Sequence, residues 1–216
     1  YENGQLKQKG SYKDGKPGGL WEIYYKDGQL RIKGNYKDGK EDGLWTLWHE
    51  NGQKKTETNY TDGKEDGLLT SWYEYGQKKS ERNYKDGKLH GLSIEWYKGQ
   101  KSQQNFKYSQ RNYKDGKLDG LFTNWYIDGQ KESEENYKYN KKVGLSVNWH
   151  ENGQKSYEGN YKDGKEVGLS VSWYKNGQKS YERNYKDGEV IHEKYWDTRG
   201  KPIDSRMYEI IRDREK

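Results

Sequence analysis

The chain has 216 residues, of which 28% are hydrophobic, 35% charged and 15% aromatic. That is too little apolar material for a conventional closed core, yet Tyr and Trp at fixed spacing exclude a disordered chain, which would be poor in aromatics. The net charge of +6 comes from 41 basic and 35 acidic residues interleaved in nearly every turn, which argues against an electrostatic nucleic-acid face. The absence of cysteine excludes disulfides and thiolate metal sites.

One unit organises the sequence. The tyrosine of a Tyr-Lys-Asp-Gly turn recurs at Tyr12, Tyr36, Tyr60, Tyr84, Tyr113, Tyr137, Tyr161 and Tyr185, 24 residues apart except that Tyr113 follows Tyr84 by 29. This is a repeat array with one insertion. Residues 1–11 read as the second half of a hairpin. The chain opens at YENGQ, inside a unit, so the natural protein is expected to begin earlier. No apolar run reaches membrane-spanning length.

Within the unit at residues 35–58, Leu44-Trp45-Thr46-Leu47-Trp48-His49 reads as a strand, Asn51-Gly52 as a hairpin turn, Lys54 to Tyr60 as the return strand and Asp62-Gly63 as a second turn. Connections this short predict an antiparallel meander. A two-residue loop at Asn51-Gly52 places Trp48 opposite Lys55, Thr46 opposite Glu57 and Leu44 opposite Asn59 on one face. That face carries a recurring Leu and Trp stripe, Leu44/Trp48, Leu68/Trp72, Leu92/Trp96, Leu121/Trp125, Leu145/Trp149 and Leu169/Trp173, expected as the repeat core. On the other face Tyr60 is expected to cover Gly43 and Tyr84 to cover Gly67, pinning the register.

The insertion is placed at 98–112 and is expected to bend or bulge the array. Beyond Tyr185 the pattern decays. From Asp204 onward Met207, Ile210 and Ile211 share a helical face, predicting a short helix over the open sheet edge. The division expected is a repeat array over 1–200 and a helical cap over 201–216. About 17 strands at ~4.8 Å each would make a curved, twisted rod on the order of 80 Å long.

The sequence offers little catalytic chemistry. His49 and His150 replace the tyrosine of Tyr73 and Tyr174 at one repeat position, and His90 and His192 lie far off in sequence, so no metal site is expected. Carboxylates such as Glu50, Glu74 and Glu151 recur at a turn flank, whereas a catalytic pair is locally unique. No nucleophile elbow or phosphate loop is present. The expectation is a non-enzyme without cofactors or metal. The aromatics beside the Trp column, Tyr25, His49, Tyr73, Tyr97, Tyr126, His150 and Tyr174, are the candidate contact residues, with Phe106 and Tyr108 added from the insertion.

The Gly-Leu-Trp, Asn-Gly-Gln and Tyr-Lys-Asp-Gly landmarks resemble the MORN repeat, in particular its bacterial variant, found in proteins described as antitoxins of the YwqK type. The resemblance covers residues 1–200 and implies an all-β, elongated single-layer antiparallel meander of tandem β-hairpins, ending here in a short capping helix. It also implies scaffold and protein-binding roles. The function expected is protein–protein interaction through the curved sheet face. Carbohydrate or cell-envelope binding through the aromatic rows, and neutralisation of a cognate toxin, are the alternatives. A secreted or cell-envelope location is the leaning.

Overall fold

The computed structural model describes residues 1–99 and 106–214. The chain divides into two units, Tyr1–Lys107 with Tyr113–Lys117, and Tyr108–Asn112 with Leu118–Lys216. The first unit runs through β1 (Gln8–Lys13), β2 (Lys16–Tyr24), β3 (Leu30–Lys37), β4 (Lys40–Trp48), β5 (Lys54–Thr61), β6 (Lys64–Glu65), β7 (Gly67–Trp72), β8 (Lys78–Lys85) and β9 (Lys88–Trp96). Strand β10 (Lys107–Lys114) contributes residues to both units. The second unit continues through β11 (Lys117–Trp125), β12 (Lys131–Lys138), β13 (Lys141–Lys142), β14 (Gly144–Trp149), β15 (Lys155–Lys162), β16 (Lys165–Trp173), β17 (Lys179–Lys186), β18 (Glu189–Trp196) and β19 (Pro202–Ile203), and ends in α1 (Ser205–Arg214). Strands β6/β7 and β13/β14 are single strands interrupted at Asp66 and Val143; counting each pair once takes the 19 strands of the described residues to 17. Within each unit successive strands pair antiparallel, so the protein is all-β, an open meander of tandem hairpins.

Two kinds of turn alternate. At Asp62-Gly63 both residues are left-handed, with φ of 51° and 77°. That is the two-residue turn whose twist matches the flanking strands, and it explains why Asp and Gly recur there. The Asn-Gly turn is different and corrects the expected two-residue loop. Only Gly52 is left-handed (φ 79°); its N–H donates to the His49 carbonyl at 3.0 Å, and the His49 N–H donates to the Gln53 carbonyl at 2.9 Å. This is a wider loop closed by a left-handed glycine bulge. It shifts the register by one residue, so Trp48 lies opposite Lys54, not Lys55, while Thr46 still faces Glu57 and Leu44 still faces Asn59.

The faces are filled differently from the expected stripe. Leu44, Leu68, Leu92, Leu121, Leu145 and Leu169 are exposed, between 37% and 54%. Thr46, Thr70, Thr123 and Val147 between Leu and Trp are buried, and Trp48, Trp72, Trp96, Trp125, Trp149 and Trp173 are half-buried. Among the described residues the helix packs on the opposite face, so nothing lies over these leucines, whereas the residues between Leu and Trp are buried by their neighbours within the sheet. The leucines are therefore a surface column and not the core.

The expected cover of Gly43 by Tyr60 and Gly67 by Tyr84 is also corrected. The tyrosines are register partners of those glycines, but a Cβ at Gly43 or Gly67 would meet nothing within 4 Å. Both glycines are left-handed, at φ of 77° and 101°, so backbone conformation selects glycine there. The glycines that are covered lie elsewhere, as at Gly34, at a register shift between β3 and β4, where a Cβ would lie 2.1 Å from the Trp45 ring. Trp45 belongs to an edge-to-face series, Tyr12–Trp21–Tyr36–Trp45–Tyr60, with centroids 5.0 to 6.2 Å apart.

Helix α1 is capped by Asp204, whose carboxylate accepts from the Met207 N–H at 2.8 Å. It lies on the tyrosine face over β17 and β18, while β19 pairs along the outer side of β18. Tyr208 is its buried residue, stacked on Tyr195 at 4.7 Å and edge-on to Tyr181 at 6.0 Å. Met207 and Ile210 are exposed, so the inward face turns on Tyr208 and not on the expected Met207, Ile210 and Ile211 set. A stacked aromatic outweighs aliphatic periodicity here.

The insertion is narrower than 98–112. The Tyr97 N–H donates to the Phe106 carbonyl at 3.0 Å, as Tyr73 does to Gln77 at 2.8 Å. Phe106 thus stands where Gln77 stands in a regular loop, and residues 107–112 are ordinary return strand. The added length falls between Tyr97 and Phe106; residues 100–105 lie outside the described residues.

Candidate functional site

The column of aromatics next to the Trp positions proves to be internal scaffolding at its polar ends. Tyr25 donates its hydroxyl to the Trp48 carbonyl at 2.6 Å, Tyr73 to that of Trp96 at 2.9 Å, Tyr126 to that of Trp149 at 2.7 Å and Tyr174 to that of Trp196 at 2.8 Å. His49 and His150 make the same bond from Nε2 to the Trp72 and Trp173 carbonyls, at 3.2 and 2.8 Å. A carbonyl only accepts, so Nε2 carries the proton. Each bond joins one loop to the strand end 22 or 23 residues on, which is in the next hairpin. Tyr97 is half-buried at the same position. The position admits Tyr and His, which share a donor at the tip, and that is the signal in the sequence for this role. Burial raises the Tyr25 and Tyr73 hydroxyls above the ordinary tyrosine value.

The loops are tied again by their Asn-Gly-Gln sequence. Asn51 Nδ2 donates to the Glu74 carbonyl at 2.6 Å and Asn152 Nδ2 to that of Lys175 at 2.6 Å. The Asn51 side-chain oxygen accepts from the Gln53 N–H at 3.1 Å. At the opposite ends of the strands the Gly63 N–H donates to the Glu41 carbonyl at 2.9 Å, and Gly164 to that of Lys142 at 2.9 Å. Neighbouring hairpins are thereby joined at both ends as well as through the strands.

What remains outward differs between the faces. The leucine face presents its exposed leucines among lysine–glutamate pairs, such as Lys78–Glu81 and Lys155–Glu158, both at 2.5 Å. Lysines also stand over its tryptophans, Lys54 over Trp72 at 5.8 Å and Lys131 over Trp149 at 5.9 Å.

On the tyrosine face of the first unit, beside the loops, lie adjoining depressions of about 670, 390 and 240 Å³. Their floor is formed by Tyr25, His49 and Tyr73, with Lys7, Arg31, Lys55 and Lys79 along the strand side and Asp27, Glu50 and Glu74, interspersed with Lys26 and Lys98, on the loop side. Arg31 lies 5.8 Å from the Tyr25 ring centroid and Lys79 5.9 Å from that of Tyr73. The sequence reading missed this cationic row. Its signal is the second residue of each return strand, basic in the first four hairpins and Tyr108, Glu132, Ser156 and Ser180 afterwards. Phe106 and Tyr108 are both 41% exposed, and the structure does not bring either into the depressions. Among the described residues no group of three or more His, Asp or Glu could hold a metal ion, and no helix is long and apolar enough to cross a membrane.

The repeat geometry agrees with comparison to known proteins. The MORN repeat variant matches residues 1–14, 17–38, 41–62, 65–86, 142–163 and 166–187, more than half of the chain. The unmatched stretch between 86 and 142 holds the insertion and the Tyr139-Asn140 turn, yet its strands and turns follow the same plan. No curated protein matches the chain. Repeats of this kind are generally associated with binding and scaffold roles. By its hairpins and by these six segments, the chain belongs to the MORN repeat variant family.

Proposed function

We propose that the chain is a non-enzymatic scaffold that binds protein partners through its leucine face. The observation that carries this reading is the exposed column Leu20, Leu44, Leu68 and Leu92 in the first unit, and Leu121, Leu145 and Leu169 in the second. A chain with 28% hydrophobic residues places one large apolar side chain per hairpin in water, ringed by charged pairs. Apolar contact rimmed by polar groups is the surface pattern of protein interfaces.

The rival readings are glycan or envelope binding and toxin neutralisation. Glycan stacking finds less support, because lysines already face several of the tryptophans and the hydroxyls of Tyr25, Tyr73, Tyr126 and Tyr174 are committed between hairpins. The test compares the parent with Leu44→Gln/Leu68→Gln/Leu92→Gln in capture from a same-cell lysate and on a glycan array. Protein capture that the triple variant loses, with an empty array, is the expected result. Glycan retention unaffected by the substitutions would replace this reading with the carbohydrate one. Rescue of growth from a co-expressed toxin distinguishes the remaining alternative.

A further inference from the structure

The cationic row on the tyrosine face is a second surface, separate from the leucine column. Lys7, Arg31, Lys55 and Lys79 occupy one position in successive hairpins and are all exposed. Among the described residues none of the four forms an ion pair, whereas the adjacent Lys54 and Lys78 are paired with Glu57 and Glu81. Their charges therefore face the adjoining depressions uncompensated, except for Asp27, Glu50 and Glu74 on the loop side.

Spacing restricts what fits. Strands are ~4.8 Å apart, so cations one hairpin apart are separated by ~9.6 Å. A polyproline II chain rises ~3.1 Å per residue with three residues per turn, which puts every third side chain on one side at ~9.3 Å intervals. A helix repeats on one side every ~5.4 Å and a strand every ~6.8 Å, and neither keeps step with the row. The floor suits the same conformation. Tyr25, His49 and Tyr73 have their tips fixed by bonds to the next hairpin, so their rings are held still, and aromatic-lined grooves are what proline-rich segments dock into.

We infer that this groove binds an acidic peptide in the polyproline II conformation, with a carboxylate at every third residue paired to Lys7, Arg31, Lys55 and Lys79 and the intervening residues against the aromatic floor. On the loop side Lys26 and Lys98 alternate with Asp27, Glu50 and Glu74, so only the strand side offers an unbroken row of cations for the peptide to follow. Nothing in this inference requires the leucine face, so the two surfaces fail or stand independently.

The test titrates the full chain with labelled (Pro-Pro-Glu)5, read by fluorescence anisotropy. The comparison probes are (Pro-Pro-Gln)5, a peptide of the same composition with its glutamates clustered at one end, and phosphatidylserine vesicles. The expected result is binding of the regularly spaced acidic peptide at least several-fold tighter than either peptide control, and weakening of about two- to five-fold for each removed cation. Lys7→Gln/Arg31→Gln/Lys55→Gln/Lys79→Gln should thus lose binding by more than about ten-fold while its circular dichroism stays that of the parent. The charge-matched variant Lys88→Gln/Lys114→Gln/Lys162→Gln/Lys186→Gln, outside the groove, should bind as the parent does. Equal binding of the clustered peptide, equal loss in the two quadruple variants, preference for the vesicles, or no binding of (Pro-Pro-Glu)5 would each overturn the inference.

Discussion

The first hairpins of the first unit and the last hairpins of the second have the same backbone plan and fill their tyrosine faces in opposite ways. In the first unit a tryptophan on one strand lies over a glycine on the strand before it, Trp21 over Gly10 and Trp45 over Gly34. Further along, the position of Trp45 holds Leu69 and Ser93 in the first unit and Phe122, Ser146 and Ser170 in the second; at Ser146 and Ser170, both nearly fully buried, the volume comes from the neighbouring strand. Above Gly159, where a Cβ would lie 2.2 Å from its hydroxyl, Tyr157 reaches across to Glu166 at 2.5 Å and Tyr161 at 3.1 Å. Arg183 lies 4.6 Å from the Tyr181 ring and donates to the Tyr195 hydroxyl at 2.9 Å. The repeat thus fixes backbone and turns, and leaves packing to be matched locally between adjacent strands.

The largest break in this comparison is Trp45→Ala. It removes the buried ring of the first unit and should cost about 3–5 kcal/mol in urea unfolding. Ser170→Ala at the same repeat position should stay within about 0.5 kcal/mol, because the buried Ser170 hydroxyl has no hydrogen-bond partner to lose.

Next comes the reciprocity of ring and glycine. Gly34→Ala should cost about 1–3 kcal/mol by forcing the Trp45 ring aside. In Gly34→Ala/Trp45→Ser the added methyl group finds space, so the double variant should lie at least ~0.5 kcal/mol above the sum of the singles. Simple additivity would show that the two positions are not matched.

The polar packing of the second unit can be probed with pH. Burial, then the hydrogen bond to Glu166, raises the Tyr157 hydroxyl well above the ordinary tyrosine value, and Tyr137 and Tyr181 are raised chiefly by burial. Below about pH 10 folded and unfolded chains both hold these protons; above it the unfolded chain ionises while the folded sites resist. Stability should therefore be full below about pH 10 and fall as pH rises past it, and Tyr157→Phe should flatten that fall in urea midpoints between pH 9 and 11.

The smallest expected effect is Tyr25→Phe, which leaves the Trp48 carbonyl without its donor. It should cost about 0.5–1.5 kcal/mol, seen as faster amide exchange at the loop bases.

The period, the strand order and both turn positions were legible in the sequence because Asp, Asn and Gly are chosen by backbone conformation, which is local. Burial was not legible. Leu44 reads as core by hydropathy, but a single-layer sheet need not cover it, whereas Thr46 two residues on is buried by its neighbours. The role of Tyr25 and His49 was hidden for another reason: their partners are carbonyls 23 residues away, and a carbonyl leaves no mark on residue identity. Lys7, Arg31, Lys55 and Lys79 escaped notice because each is unremarkable alone and becomes a row only when the hairpins are laid side by side.

The backbone bond between Tyr97 and Phe106 has a practical meaning for engineering. It has the same geometry as the bond between Tyr73 and Gln77 that closes a regular loop, although its partners stand nine residues apart in the sequence and not four. Loop closure costs only ~0.6 kcal/mol for each doubling of length. The corresponding site between His150 and Gln154 should accept a grafted peptide epitope of similar size without loss of the fold, making the loop edge a display platform whose copies are spaced by the repeat itself.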